Sequence, residues 1–536
     1  MPAPRHYVFK VLLLTTFTLL GTRPASAQVQ PATTTAPVSL TIDEALQIAL
    51  INNYAIQRAR LDVDDARSQI RAGWGELMPQ VDVTSSYTRN VRSANPFSGS
   101  AAGNIFSSFG FLDWLAFNEE ARTDDNADTN PIPAAEFFTR QQEGREAAGV
   151  VLDNSSNPFS VPNQYRSGVS LTQKLFDGRA IWGASGASRY LKPFNEYGLQ
   201  RQEQLLIDQV RQAFYSALLS SERARVVEMS VARTAASLEE VSRQVAQGVA
   251  PKFQRLSAEV ELANQETDLV QTRNQAFQAA DDLKLLLGMP VDRPLQLRGS
   301  LEAAPLNDYL SISLEGAAEL ADSRRPDLEQ ARLNISLEEI QNKVARAEFM
   351  PTLDASANLN YTGNVPSNRL NVIADPNDPF AFTTQENGYF SSSYWDWDFN
   401  VGLTLRWNLF NGFRSKEQLQ QRKIATSKAR LQYDELVQAV RLDVERSLRN
   451  LEAARERIES QRRNVERAEL NYTYADARLR EGVANPLEVR DASEQLDQSR
   501  LNYLQAVHDL LVARSAFETA VGMPIDTGTD VTLTSK

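Results

Sequence analysis

The chain has 536 residues, with 56 Lys+Arg against 68 Asp+Glu and a formal net charge of −12. That balance argues against a nucleic-acid binder, which needs basic surface to meet phosphates. There is no Cys, which excludes disulfides, thiolate metal sites and Cys nucleophiles, and two His, His6 and His508, are too few for a His-based metal site or catalytic centre.

The first residues read as an export leader. Arg5 and Lys10 form a positive region, Val11 to Leu20 an apolar run of 10 residues, and Ala25-Ser26-Ala27 a small-x-small cleavage site, so 1–27 is expected to be a signal peptide. The run is too short to cross a bilayer as a helix, and no later run reaches 18 apolar residues. Such a chain is periplasmic, secreted or an outer-membrane β-barrel.

Past the leader, the chain is one unit written twice. Ser39-Leu40-Thr41-Ile42-Asp43 resembles Ser311-Ile312-Ser313-Leu314-Glu315, and Met78-Pro79 matches Met350-Pro351, both at an offset of 272. Leu175-Phe176-Asp177-Gly178 matches Leu409-Phe410-Asn411-Gly412, Gly248-Val249-Ala250 matches Gly482-Val483-Ala484, and Gly288-Met289-Pro290 matches Gly522-Met523-Pro524, all at 234. The first copy therefore carries 272 − 234 = 38 extra residues, between Pro79 and Leu175. A period this long marks a duplication, not a solenoid.

Two patterns fill each copy. Pro79 and Pro351 end a helix, and period-2 alternation follows. Val81, Val83 and Tyr87 alternate with Asp82, Thr84 and Thr88. Val169, Leu171 and Leu175 alternate with Ser170, Thr172 and Lys174. The second copy repeats this with Leu353 to Tyr361 and with Val401 to Leu409. Four segments of roughly ten residues, apolar on one face, are predicted transmembrane β-strands. The loops between them, 93–163 and 364–393, are polar, and Tyr394, Trp395, Trp397 and Phe399 fit an aromatic girdle.

The second pattern is helical. Residues 194–247 and 424–481 are charge-rich and almost free of Gly and Pro, with stripes such as Val227, Val231, Thr234, Leu238, Val241 and Val245. Such a helix is about 80 Å long at 1.5 Å per residue. Gly248 and Gly482 stop these helices, and Pro251 and Pro486 suit the start of return helices over 251–287 and 486–521. Four strands cannot close a barrel, and open edges in lipid go unsatisfied, so copies must associate. A dimer would supply eight strands and a trimer twelve, the latter with room for a pore.

These features resemble the outer-membrane efflux channel family typified by TolC. The residues that carry the resemblance are the duplicated turns Leu175-Phe176-Asp177-Gly178 and Leu409-Phe410-Asn411-Gly412, the tip segment from Arg478 and Gly482 to Asp491-Ala492, and Leu40-Thr41-Ile42-Asp43-Glu44-Ala45-Leu46. The likeness runs from about residue 39 to 524. It implies a mainly α fold with a β-barrel portion: long antiparallel helical hairpins forming a trimeric α-barrel, topped by a 12-stranded transmembrane β-barrel with four strands per chain. It further implies an exit duct of a tripartite efflux or type I secretion system, partnered by a periplasmic adaptor and an inner-membrane pump, with no cofactor. Residues 288–330 and 522–536 would then belt the helical barrel.

By the same resemblance, acidic residues at the start of the second return helix would form the periplasmic gate; here these are Glu488 and Asp491, three apart on one helix face. Copy one has Gln254 and Ser257 at the matching positions, so a trimer would converge six carboxylates from copy two alone. Glu488 also stands where it could complete a capping box after Asn485 and Pro486. The tips Gly248, Val249, Ala250, Gly482, Val483 and Ala484 are the expected adaptor-docking residues.

Rival readings find less in the sequence. There is no phosphate-binding loop or nucleophile elbow. Asp124, Asn126, Asp128 and Asn130 mimic a calcium loop, but Thr129 replaces the turn glycine and Ala135 the bidentate Glu. His508 is expected on a surface or in a groove. A periplasmic coiled-coil adaptor without a pore is the alternative, although it has no need of membrane-length strands. The chain divides into leader 1–27, N-terminal segment and first helices 28–79, β-hairpin with long external loop 80–177, helical hairpin and linker 178–310, second-copy helices 311–351, second β-hairpin 352–411, second helical hairpin 412–523 and tail 524–536.

Overall fold

The structure is a computed structural model that describes residues 38–91, 101–125, 129–150, 161–301, 313–366, 369–481, 483 and 486–522. The leader 1–27, the tail 524–536 and residues 126–128 of the calcium-like loop lie outside the described residues.

In chain order, β1 (Val38–Leu40) precedes helices α1 (Ile42–Asn52) and α2 (Tyr54–Gly75). Strand β2 (Gln80–Arg89) follows, then α3 (Ala101–Thr123), α4 (Ala134–Ala147) and β3 (Asn163–Phe176). The first helical hairpin opens with α5 (Gly178–Gly186) and a π-helical turn at Ala187–Leu191, then α6 (Lys192–Ala246) and α7 (Lys252–Leu286). After β4 (Leu295–Leu297) the second copy begins with α8 (Leu314–Arg324) and α9 (Pro326–Ala347). It continues through β5 (Thr352–Val365), β6 (Leu370–Asp375), β7 (Asp378–Glu386) and β8 (Trp395–Arg406) to α10 (Arg414–Arg480) and α11 (Pro486–Val521).

The duplication holds to the residue. Thr41 caps α1 in a reciprocal box: its hydroxyl accepts from the Glu44 N–H at 3.4 Å, and the Glu44 carboxylate accepts from the Thr41 N–H at 2.8 Å. Ser313, 272 positions on, caps α8 by accepting from the Gly316 N–H at 3.1 Å. Each copy has its own apolar core. Leu46, Ile56, Val210, Phe214, Leu283 and Leu287 close the first, and Leu328, Val440, Val444, Phe517 and Val521 the second.

One joint is conserved in place while its chemistry differs. Asn53, between α1 and α2, donates through Nδ2 to the Leu286 carbonyl at 2.9 Å. Arg325, the equivalent residue between α8 and α9, donates through Nη1 to the Ala520 carbonyl at 3.3 Å. Both satisfy last-turn carbonyls that a helix end leaves open.

The long helices exceed the expected ranges. Helix α6 runs 55 residues and α10 runs 67, which is about 80 and 100 Å. Pro193 is accommodated in the first turn of α6 behind the π-helical turn. Helices α7, α6, α11 and α10 form a row in that order: α6 packs on α7, α11 on α10, and α6 on α11.

The four alternating segments form one antiparallel sheet, β2-β3-β5-β8. Register explains the alternation. Val83, Val169, Leu359 and Phe399 lie in one row across all four strands, and Val81, Leu171, Ala357 and Val401 in another. This face is apolar and exposed: Val83 is 77% and Leu403 70% accessible. The opposite face is polar, with Asn358 bonded to Asn400 at 2.9 Å and Asn360 to Asp398 at 3.0 Å. At the end of the sheet remote from the helices, Trp395 stacks with Tyr165 and Tyr361 at centroid distances of 5.5 and 5.1 Å. Trp407, Phe410 and Phe413 are exposed at the end near the helices, so two aromatic bands bracket the apolar face.

Two loops differ from expectation. The 93–163 loop contains helices α3 and α4, and 364–393 contains the β6–β7 ribbon, so neither is simply polar coil. Their apolar residues sit among Gly, Ser, Asn and Asp, and Phe117 and Phe137 of the first loop pack on Phe380 of the second, so neither segment shows a periodic face. Near the expected belt, β4 pairs in parallel with β1, while 302–312 and 523–536 lie outside the described residues.

Candidate functional site

The hairpin tips carry the candidate site residues. The first is built by a Schellman turn, in which the Gly248 N–H donates to the Val245 carbonyl at 3.1 Å and the Val249 N–H to the Gln244 carbonyl at 3.0 Å. Gly248 has φ +77°, a left-handed conformation that costs other residues about 1–2 kcal/mol. Gly248→Ala is therefore expected to loosen the tip by about 1 kcal/mol, seen as faster amide exchange over 244–250 with the rest of the chain unchanged. In the second tip, Gly482 and Ala484 lie outside the described residues. The Val483 N–H donates to the Arg478 carbonyl at 2.9 Å, the bond equivalent to that of Val249. Val249 is 74% and Val483 66% exposed, so each tip presents an apolar side chain to solvent.

Glu488 and Asp491 both stand exposed on the first turns of α11. Neither is a bare carboxylate. Glu488 Oε2 lies 3.2 Å from Nη1 of Arg478 on the facing helix, and Asp491 Oδ1 lies 3.3 Å from Nη2 of Arg490. Sequence reasoning missed these two partners, although Arg478 was already in view as part of the tip motif. The capping bond expected for Glu488 involves Asn485, outside the described residues.

The two hairpins are joined by polar contacts between α6 and α11. Arg201 donates to the Thr519 carbonyl at 3.3 Å, Ser515 to Asp208 at 2.7 Å, and Arg233 pairs with Asp497. His508 belongs to this seam. It is mostly buried rather than on a surface, with Nε2 3.1 Å from Ser216 Oγ and Nδ1 3.3 Å from Asp509 Oδ1. Asp509 also accepts from Arg457 at 2.9 Å, so this Ser–His–Asp line is part of helix packing. No signal in the sequence could pair residues some 300 positions apart.

The family described as "Outer membrane efflux protein" matches residues 138–289 and 317–523. The chain belongs to that family. It is an outer-membrane efflux channel, and the family consists of transport channels. The chain is 26% identical over 381 residues to the pyoverdine export outer membrane protein OpmQ of Pseudomonas aeruginosa, covering 68% of this chain and 73% of that one. It is 21% identical over 374 residues to the cation efflux system protein CusC of Escherichia coli K12, covering 68% and 75%. The solved structure of the Campylobacter jejuni CmeC outer membrane channel superposes with a TM-score of 0.65 at 13% identity, over 91% of this chain and 87% of that one. Nothing in these matches supports an adaptor without a pore.

Proposed function

We propose that three copies join edge to edge into a continuous exit duct, a 12-stranded barrel in the outer membrane above a 12-helix barrel across the periplasm. The observation that carries this is the sheet itself. It has one apolar and one polar face, and its edge strands β2 and β8 are each paired on one side only among the described residues. An open edge in hydrocarbon is unsatisfied, and joining β8 of one copy to β2 of the next removes every edge. The helix row has the same property, because its free sides are α7 and α10, so closure sets α7 against α10 of the next copy. Relatives named for cation efflux and pyoverdine export support the reading of a duct that receives cargo from a pump.

The exposed Val249 and Val483 tips suit docking of a periplasmic adaptor that links the duct to an inner-membrane pump. Glu488 and Asp491 line the narrowing periplasmic end, where converging carboxylates favour cations. Arg478 and Arg490 temper that field. The channel is expected to conduct in planar bilayers with a preference for cations. In Glu488→Gln/Asp491→Asn the cation-to-anion permeability ratio should fall toward unity, because the carboxylates that favour cations are gone while Arg478 and Arg490 remain. An unchanged ratio would place the gate elsewhere, and insertion without conductance would contradict the duct.

A further inference from the structure

We infer that neighbouring copies meet along α7 and α10 in the register in which the two halves of one chain meet along α11 and α6, so that the contact within the chain is the template for the contact between chains; this rests on the edge-to-edge ring proposed above. The duplication fixes the numbers. The turn residue Gly178 matches Gly412 and the tip residue Gly248 matches Gly482, both at 234, so no net insertion separates α6 from its equivalent stretch of α10. The sheet shows that these offsets hold in space. Val83 pairs with Val169 in the first copy, and Ala355, 272 on from Val83, pairs with Leu403, 234 on from Val169. Helix α11 is flanked by α6 of its own chain, whereas its equivalent α7 ends the row and, in the ring, meets α10 of the next copy.

Three polar pairs of the α6–α11 seam carry over with complementary chemistry. Arg223 donates through Nη2 to Gln505 Oε1, and at an offset of 234 the same two residue types recur as Arg457 and Gln271. Ser216 Oγ and His508 Nε2, 3.1 Å apart, become Asn450 and Asn274, two amides that each donate and accept. Arg211 and Glu518, an ion pair, become Glu445 and Lys284, the same pair with its signs exchanged. Gln271, Asn274, Asn450 and Arg457 are all exposed in the single chain. Lys284 donates to Asp281 and to the Val291 carbonyl, both at 2.9 Å, which leaves its third ammonium hydrogen for Glu445 of the next copy. The apolar residues follow the same register. Leu504 is buried and Leu511 packs against the first core, and their equivalents are Val270 and Phe277, which stand bare on α7. Two pairs are not carried over: Arg233–Asp497 becomes Arg467 and Ala263, and Asp208–Ser515 becomes Leu442 and Asp281. The seam between copies therefore lacks, toward the tips, an ion pair that the seam within the chain has. Every copy offers one α7 face and one α10 face, a head-to-tail contact that closes in a ring.

The absence of Cys makes the test direct. Asn274→Cys/Asn450→Cys and Gln271→Cys/Arg457→Cys, each in the full chain in outer membranes, are treated with a short bis-maleimide and run on a denaturing gel. Asn274→Cys/Arg467→Cys is the register control, because Arg467 lies 467 − 450 = 17 residues, about 25 Å, along α10 from Asn450. Both in-register variants should lose the monomer band to covalent dimer and trimer, while the control and each single variant stay monomeric. Monomer alone from either in-register variant, or equal linkage of the control, in a protein whose native mass is that of a trimer, would overturn the copied register and leave the ring standing. A native mass other than a trimer overturns the ring and the register together.

Discussion

Val260→Lys/Val270→Lys is expected to leave the helical hairpin folded and to abolish the trimer. Helix α7 carries Phe253, Leu256, Val260, Val270 and Phe277 at alternating steps that fit a heptad seam, and all five are more than half exposed in the single chain. Its own hairpin partner α6 lies on the other side. Helix α10 has a matching set in Leu431, Leu470 and Tyr474, at 68%, 55% and 65% exposure. In the closed row these two stripes face each other between copies. Burying a valine contributes about 1.5–3 kcal/mol, so two losses on each of three seams, with two charges added, exceed what marginal association tolerates. The readouts are native mass in detergent and far-UV circular dichroism. A trimer that survives the double substitution would mean that the stripe faces something other than a neighbouring copy.

Arg325→Met is expected to destabilise the second copy by about 3 kcal/mol, because it leaves a half-satisfied buried ion pair behind. Arg325 is 5% exposed. It donates through Nε and Nη2 to the two oxygens of Asp327 at 3.0 and 2.6 Å, and through Nη1 to Asp443 at 3.0 Å and the Ala520 carbonyl at 3.3 Å. Burial alone would raise the pKa of Asp327, but the Arg325 hydrogen bond and the charges of Arg201 and Arg325 outweigh it and hold the carboxyl below its usual value. A depressed carboxylate gives stability above the ordinary Asp value of about 3.9 and loses it as the pH falls through the depressed one. The gap between wild type and Arg325→Met should therefore narrow in strong acid. The first copy shows the repair, with Asn53 at the equivalent of Arg325 and Ala55 at that of Asp327. Arg325→Asn/Asp327→Ala transplants that joint and should recover most of the loss in urea unfolding. A double variant no better than Arg325→Met would show that the two joints are not interchangeable.

The parts of this molecule legible in the sequence are those written at short range. Val83, Val169 and Leu359 announced their face through period-2 alternation, and strand register aligns them in one row with Phe399. The first tip was legible because the left-handed turn at Gly248 selects glycine. The duplication revealed both hairpins at once. Contacts between distant residues were not legible. Arg478 meets Glu488, Arg233 meets Asp497 and Arg325 meets Asp443 only after the helices have paired, and each of these charges alone reads as a solvated helix face. The insert was hidden for a related reason: Phe117 and Phe137 in the first copy find Phe380 in the second, so neither loop shows a core by itself.

The measurement that bears most directly on the duct is the native mass of the full chain extracted in mild detergent. A single species of three chains is expected, since four strands and four long helices per copy then close two twelve-membered rings. A stable species of one or two chains would contradict it.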